Sequence, residues 1–295
     1  MNNRSEKFPI EQAKTAEIKN KIGVENERIR QLLESEQQTN PEYRECLEKL
    51  KYEFNRRVAK ANMLIQELSE KMGQLDWFIV PPIMSRTDYG YTTDIDLVIV
   101  HDSDAQPPEY KNEVDGVFMT PRFINKEKLT NLGSRFPEIA EWYTKKLNEE
   151  KPKGKTENQP IDVLSLEDKL RYSITPEKRE QIRNYRLLLA SHFMEAVKER
   201  ISVISWSISG STVADIDRFS VCSDLDLEIL VDPKTPEQES EIFFYLHNYL
   251  KYKFAEDYET KICFTETTLD FIKRISDLDP KMRDFFERQF RIKLE

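Results

Sequence analysis

Residues 206–232 read WSISGSTVADIDRFSVCSDLDLEILVD, and the fold turns on how they are read. The first residues alternate as a strand, Gly210-Ser211 breaks them as a turn, and a polar loop leads into a second alternating strand. Asp224 and Asp226 fall on one face of that second strand, roughly 6.5–7 Å apart. Leu225, Leu227 and Ile229 fill the other face and pin it to a core. Two carboxylates at that spacing suit a hard divalent cation, which takes oxygen ligands. Gly210 has no Cβ, so a phosphate chain can approach its backbone. Ser211 adds a hydroxyl and an amide.

Working outward, the same order occurs once more in weaker form. Residues 77–85, WFIVPPIMS, read as a buried strand. A short loop, RTDYGYT, leads to TDIDLVIV at 93–100, with Asp94 and Asp96 on one face. Each strand pair follows a long helix. The first, 42–72, carries Leu47, Leu50, Phe54, Val58, Ala61, Leu64, Ile65 and Leu68 at helical spacing. Pro41 is placed to open it and Gly73 to cap it. The second, 176–201, carries Ile182, Tyr185, Leu189, Phe193 and Val197. Ser85 and Ser211 are 126 residues apart, and Asp94 and Asp224 are 130 apart. Such self-similarity is a statement about architecture. Later strands are expected at 161–166 (IDVLSL, carrying Asp162) and at 258–265 (carrying Glu259). Residues 114–124 read as a strand or hairpin, and helices are expected at 137–147, 236–254 and 269–294.

A Gly-Ser turn followed by an acidic-x-acidic strand resembles the nucleotidyltransferase fold of the DNA polymerase β superfamily. That family adds a third carboxylate from a later strand. The resemblance implies an α/β (α+β) chain of two tandem nucleotidyltransferase-like modules, each a small mixed sheet flanked by helices. The expected divisions are a helical or mobile arm at 1–40, a first module at 41–170, a second at 171–268 and a C-terminal helical segment at 269–295. It further implies that Asp224 and Asp226 hold Mg2+ or Mn2+ with Glu259 as third ligand. Asp94, Asp96 and Asp162 form the rival set. Gly210 and Ser211, and in the first module Ser85 and Arg86, would hold a nucleoside triphosphate such as ATP. Met84 stands where the family has glycine, so the turn is intact only in the second module.

The implied reaction transfers a nucleoside monophosphate to a hydroxyl of RNA, a small molecule or a protein, with release of pyrophosphate. Positioning and charge neutralisation carry most of such a reaction, and the protein need not supply a nucleophile. The competing reading is a catalytically inactive relative that binds nucleotide, RNA or protein; a third is a purely structural duplicated scaffold.

Composition bounds these readings. A net charge of −9 argues against broad nucleic-acid binding, which rests on cationic contacts, while leaving room for a local basic groove. Seven glycines argue against a glycine-rich dinucleotide fold. Cys46, Cys222 and Cys263 lie in no metal-ligand spacing and read as reduced thiols. No apolar run reaches the roughly 20 residues that span a bilayer, and the first residues lack a signal-peptide core. A soluble, cytoplasmic protein without a membrane partner is expected; the sequence is silent on oligomeric state. Gly154-Lys155-Thr156 lacks the earlier glycine of a phosphate-binding loop and reads as a charged loop. His101, His192 and His247 read as structural histidines; the alternative for His101, which follows the first acidic strand, is an approach to its site.

Overall fold

The computed structural model describes residues 7–80, 94–102, 107–111, 113–114, 117–154, 163–213, 216–221 and 224–294. Two long helices open the chain, α1 (Lys7–Thr39) and α2 (Pro41–Met72). The Asn40 side chain accepts the Tyr43 N–H at 3.1 Å and Pro41 occupies the first turn, so α2 starts where the sequence placed it. Gly73, at φ 85°, ends it. Ile22, Ile29 and Leu33 of α1 are buried. The Tyr185 hydroxyl donates to Asn26 at 2.7 Å, which ties α1 to the second half of the chain.

The first sheet contains β1 (Asp76–Ile79), β2 (Asp94–His101), β3 (Glu113–Val114) and β4 (Val117–Asn125), in the order β1-β2-β4-β3. β1 runs antiparallel to β2, and β4 parallel to it. Two helices follow, α3 (Lys126–Arg135) and α4 (Pro137–Asn148), then α5 (Val163–Ser173) and α6 (Pro176–Lys198). The second sheet has β5 (Val203–Ser209), β6 (Leu225–Val231) and β7 (Ile262–Thr268), in the order β5-β6-β7. Again the first pair is antiparallel and the second parallel. Between β6 and β7 lie α7 (Pro236–Tyr245), a π-helical turn (Leu246–Leu250) and α8 (Lys251–Tyr258). After β7 come α9 (Leu269–Leu278) and α10 (Pro280–Phe290).

The two sheets have similar surroundings. Each sheet is preceded by a long helix and followed by a helix pair. The first helix of each pair is capped by the last residue of its strand. Asn125 accepts from Glu127 N at 2.8 Å, and Thr268 from Phe271 N at 3.2 Å. The second helix of each pair opens on a proline, Pro137 or Pro280.

One expected strand is a helix. Val163, Leu166 and Leu170 recur at helical spacing; Leu166 and Leu170 are buried, and α5 packs on α2. A six-residue run fits both periods, and the helical burial decides it. The third strand of the first sheet is β4 instead, out of the expected hairpin. The last strand also begins late, at Ile262, because α8 continues to Tyr258 and Glu259 turns left-handed at φ 51°.

The alternation of β2 and β6 sets the core. Ile95, Leu97 and Ile99 pack with Val58, Leu64 and Leu68 of α2. Val98 and Val100, on the opposite face, join Leu225, Leu227 and Ile229 of β6 in one apolar cluster that also takes in α4, α6 and α7. The two sheets thus share a core. The Tyr143 hydroxyl donates to the Asn248 carbonyl at 2.7 Å and Trp142 Nε1 to Glu256 at 2.8 Å across it. Among the described residues no helix is long and apolar enough to cross a membrane.

Candidate functional site

The site begins with the loop that joins β5 to β6. Arg179, Arg183 and Arg186 lie on one face of α6 and hold its carbonyls. Arg179 Nη1 donates to Ile216 O at 3.0 Å, Arg183 Nε to Thr212 O at 2.8 Å, and Arg186 Nη2 to Val221 O. The Arg186 guanidinium also lies 5.2 Å from the Phe219 ring centroid. Carbonyls that no strand pairs are thereby satisfied, and the loop delivers Asp224 to the open end of β6.

The turn Gly210–Thr212 closes against that end. Gly210 has φ +69°, a conformation L side chains rarely adopt, and a Cβ there would stand 2.0 Å from Asp226 Oδ2. Glycine is required twice over, for its backbone angle and for the space the carboxylate takes. Ser211, half-buried, follows it in the turn.

Asp224 accepts a hydrogen bond from Cys263 Sγ at 3.3 Å and lies 3.7 Å from Lys261 Nζ. Its other oxygen, Oδ1, is buried and has no hydrogen-bond partner among the described residues. Burial pushes the Asp224 carboxyl above the ordinary aspartate range, against the pull of Lys261, Cys263 and Arg186. Asp226 is pushed up to about 6, first by burial and then by the charge of Asp224. Two neighbouring carboxylates, each disfavouring its charged form, make a place where a cation is stabilising.

The third position of the site is not acidic. Cys263 pairs with Asp226 across the parallel strands, and Thr120 pairs with Asp96 in the first sheet. Glu259 sits before β7 in its left-handed turn, where Arg30 of α1 feels its charge. The Cys263 thiol, pushed up to about 12 by burial and by Asp224, is no substitute base at neutral pH. Among the described residues no group of three or more His, Cys, Asp or Glu is arranged to hold a metal. Asp224 and Asp226 fit one cation, through an unpartnered Oδ1 and two strained charges; they do not make the three-carboxylate set that two cations need.

The rival set is not assembled by the described residues. Asp94 contributes its backbone to β2, while Ser85, Arg86 and Asp162 lie outside them. Asp96 faces the second half of the chain, where its charge opposes the effect of burial on Lys251. Burial lowers the affinity of Lys251 for its proton, and Asp96 raises it. Lys251 also feels Arg122, Cys263 and Lys261, and Lys261 lies 3.7 Å from Asp224. Sequence reasoning missed Lys251, Lys261 and Arg122, because only the packing of α8 and β4 brings them near. The Val80 N–H donates to Asp96 O at 3.0 Å, as Ser209 pairs with Asp226. Met84 and the rest of the turn that would correspond to Gly210 lie outside the described residues. His101 ends β2 far from Asp96, edge-on to Phe123 at 6.2 Å.

Comparison of the chain with protein-family models, with curated proteins and with solved structures finds no match.

Proposed function

We propose that the chain is a divalent-cation-dependent nucleotidyltransferase built of two tandem modules of one fold, with its site on the second. It would bind a nucleoside triphosphate with one Mg2+ or Mn2+ at Asp224 and Asp226. An acceptor hydroxyl of RNA, a small molecule or a protein attacks the α-phosphorus. The bond to the bridging oxygen breaks, pyrophosphate leaves, and the hydroxyl proton passes to solvent or a neighbouring carboxylate. The recurrence of a long helix, an antiparallel strand pair joined by a parallel strand, and a helix pair supports the two-module reading.

One observation carries the site: two carboxylates with raised proton affinity meet beside a left-handed glycine turn, and one buried carboxylate oxygen has no partner among the described residues. A cation bound there supplies charge neutralisation for the triphosphate. Lys261, beside Asp224, adds a positive charge for phosphate oxygens. The bare Gly210 backbone leaves room for the chain of phosphates, and the arginines of α6 keep the loop in place.

Cys263 and Thr120 favour a second reading, a relative that binds nucleotide and does no chemistry, because among the described residues neither parallel partner strand places a carboxylate opposite Asp226 or Asp96. One experiment separates the two. Each labelled nucleoside triphosphate is incubated with Mg2+ or Mn2+ and candidate acceptors, and pyrophosphate release is measured beside equilibrium binding. Asp224→Asn/Asp226→Asn and Asp96→Asn are run in parallel. Release that only the double variant loses supports the transferase on the second sheet. Metal-dependent binding without release supports the binding protein. Neither release nor binding removes both.

A further inference from the structure

His101 closes the end of β2 opposite to Asp96, about 16 Å away at about 3.3 Å per strand residue. It is 8% exposed, and its Nδ1 is buried with no hydrogen-bond partner among the described residues. His101 lines a cleft of about 880 Å3, bounded by β4 and α3 on one side and the first turns of α7 on the other. That size is in the range of small-molecule sites, as is the mixture of apolar walls with a few polar groups.

The lining selects the chemistry. Phe123 and Phe244 supply apolar aromatic surface, while Asn131 and Ser240 sit exposed at the rim and can each donate or accept. Of the two cationic lining residues, Arg135 is bound to Glu241, and Lys128 shares the lining with Glu127 and Glu237. The cleft therefore has no surplus positive charge for a phosphate or a free carboxylate. An aromatic body with a donor-and-acceptor edge fits the aromatic walls and the polar rim, with His101 lining the same space.

We propose that this cleft, between the two halves of the chain, is a binding site for a neutral planar heterocycle of nucleoside size, held by His101. It is separate from the carboxylate site and does not depend on the reading of that site.

The test uses the full chain labelled with 15N in its three histidines. Adenosine, guanosine, cytidine and uridine are titrated to about 1 mM while the imidazole signals are followed. The inference expects a saturable shift of the His101 signal with at least one of them. His101→Ala should weaken that binding about tenfold or more. Ser240→Trp, which adds bulk from an exposed helix position and spares the core, should block it. Asp224→Asn/Asp226→Asn should leave it unchanged. The inference is overturned if no nucleoside moves the His101 signal. It is equally overturned if binding survives both cleft variants, or if adenosine 5′-monophosphate binds about tenfold tighter than adenosine, which would make this a phosphate site.

Discussion

Asp226→Asn should make the cation-free protein more stable at neutral pH. Asp226 rises from the ordinary value of 3.8 to about 6 in the fold. Between those values the folded chain keeps a proton that the unfolded chain has already released, so stability falls as pH rises through that window. The full shift corresponds to roughly 3 kcal/mol at about 1.4 kcal/mol per tenfold change in proton affinity. The side chain is only partly buried and solvent screens it, so about half of that, ~1.5 kcal/mol, is expected to survive. Asparagine keeps the shape and removes the charge. Urea unfolding in EDTA from pH 4 to 8 measures the difference between variant and parent, which cancels the other titrating groups. That difference should be near zero at pH 4, grow through pH 6 and level off near ~1.5 kcal/mol above it. Mg2+ at about ten times its dissociation constant should return about 1.4 kcal/mol to the parent and nothing to the variant. A pH-independent difference, or a variant less stable at pH 7.5, refutes the reasoning.

Three further outcomes follow from the same geometry. Gly210→Ala adds a left-handed alanine, at about 1–2 kcal/mol, and drives Asp226 off its rotamer at about 1 kcal/mol more. It should lower stability by about 2–3 kcal/mol, and by roughly 1 kcal/mol less in an Asp226→Ala background. Cys263→Asp places a third carboxylate opposite Asp226; it should lower cation-free stability and strengthen Mn2+ binding about tenfold or more, read by calorimetry. Glu53→Gln removes the charge that buried Arg56 and Arg57 share, through contacts of 2.7 to 3.1 Å, and should cost about 3 kcal/mol in urea unfolding.

Local chemistry was legible in the chain, and pairing across distance was not. Asn40-Pro41 and Gly73 mark the ends of α2 because caps and backbone angles are local properties. The strand, turn and strand around Gly210 were legible for the same reason. The third strands were misplaced because parallel pairing joins residues far apart in sequence. β4 was legible as a strand, but nothing local showed that Thr120 stands beside Asp96. IDVLSL satisfies both periods, and burial of Leu166 and Leu170 against α2 favours the helix. Glu259 read as a strand residue, yet the left-handed turn at its own position delays the strand's start by four residues and hands its place to Cys263. Arg179, Arg183 and Arg186 share one helical face, and nothing local in the sequence marks them. Only the carbonyls of the loop show what they hold.

The central claim is that Asp224 and Asp226 together hold one divalent cation beside the Gly210 turn. Titration of the full chain with Mn2+, with free ion counted by electron paramagnetic resonance in the presence of a nonhydrolysable nucleoside triphosphate, tests it most directly. The account predicts one ion bound per chain, lost in Asp224→Asn/Asp226→Asn and retained in Asp96→Asn. Binding that persists in the double variant, or that disappears only with Asp96, contradicts it.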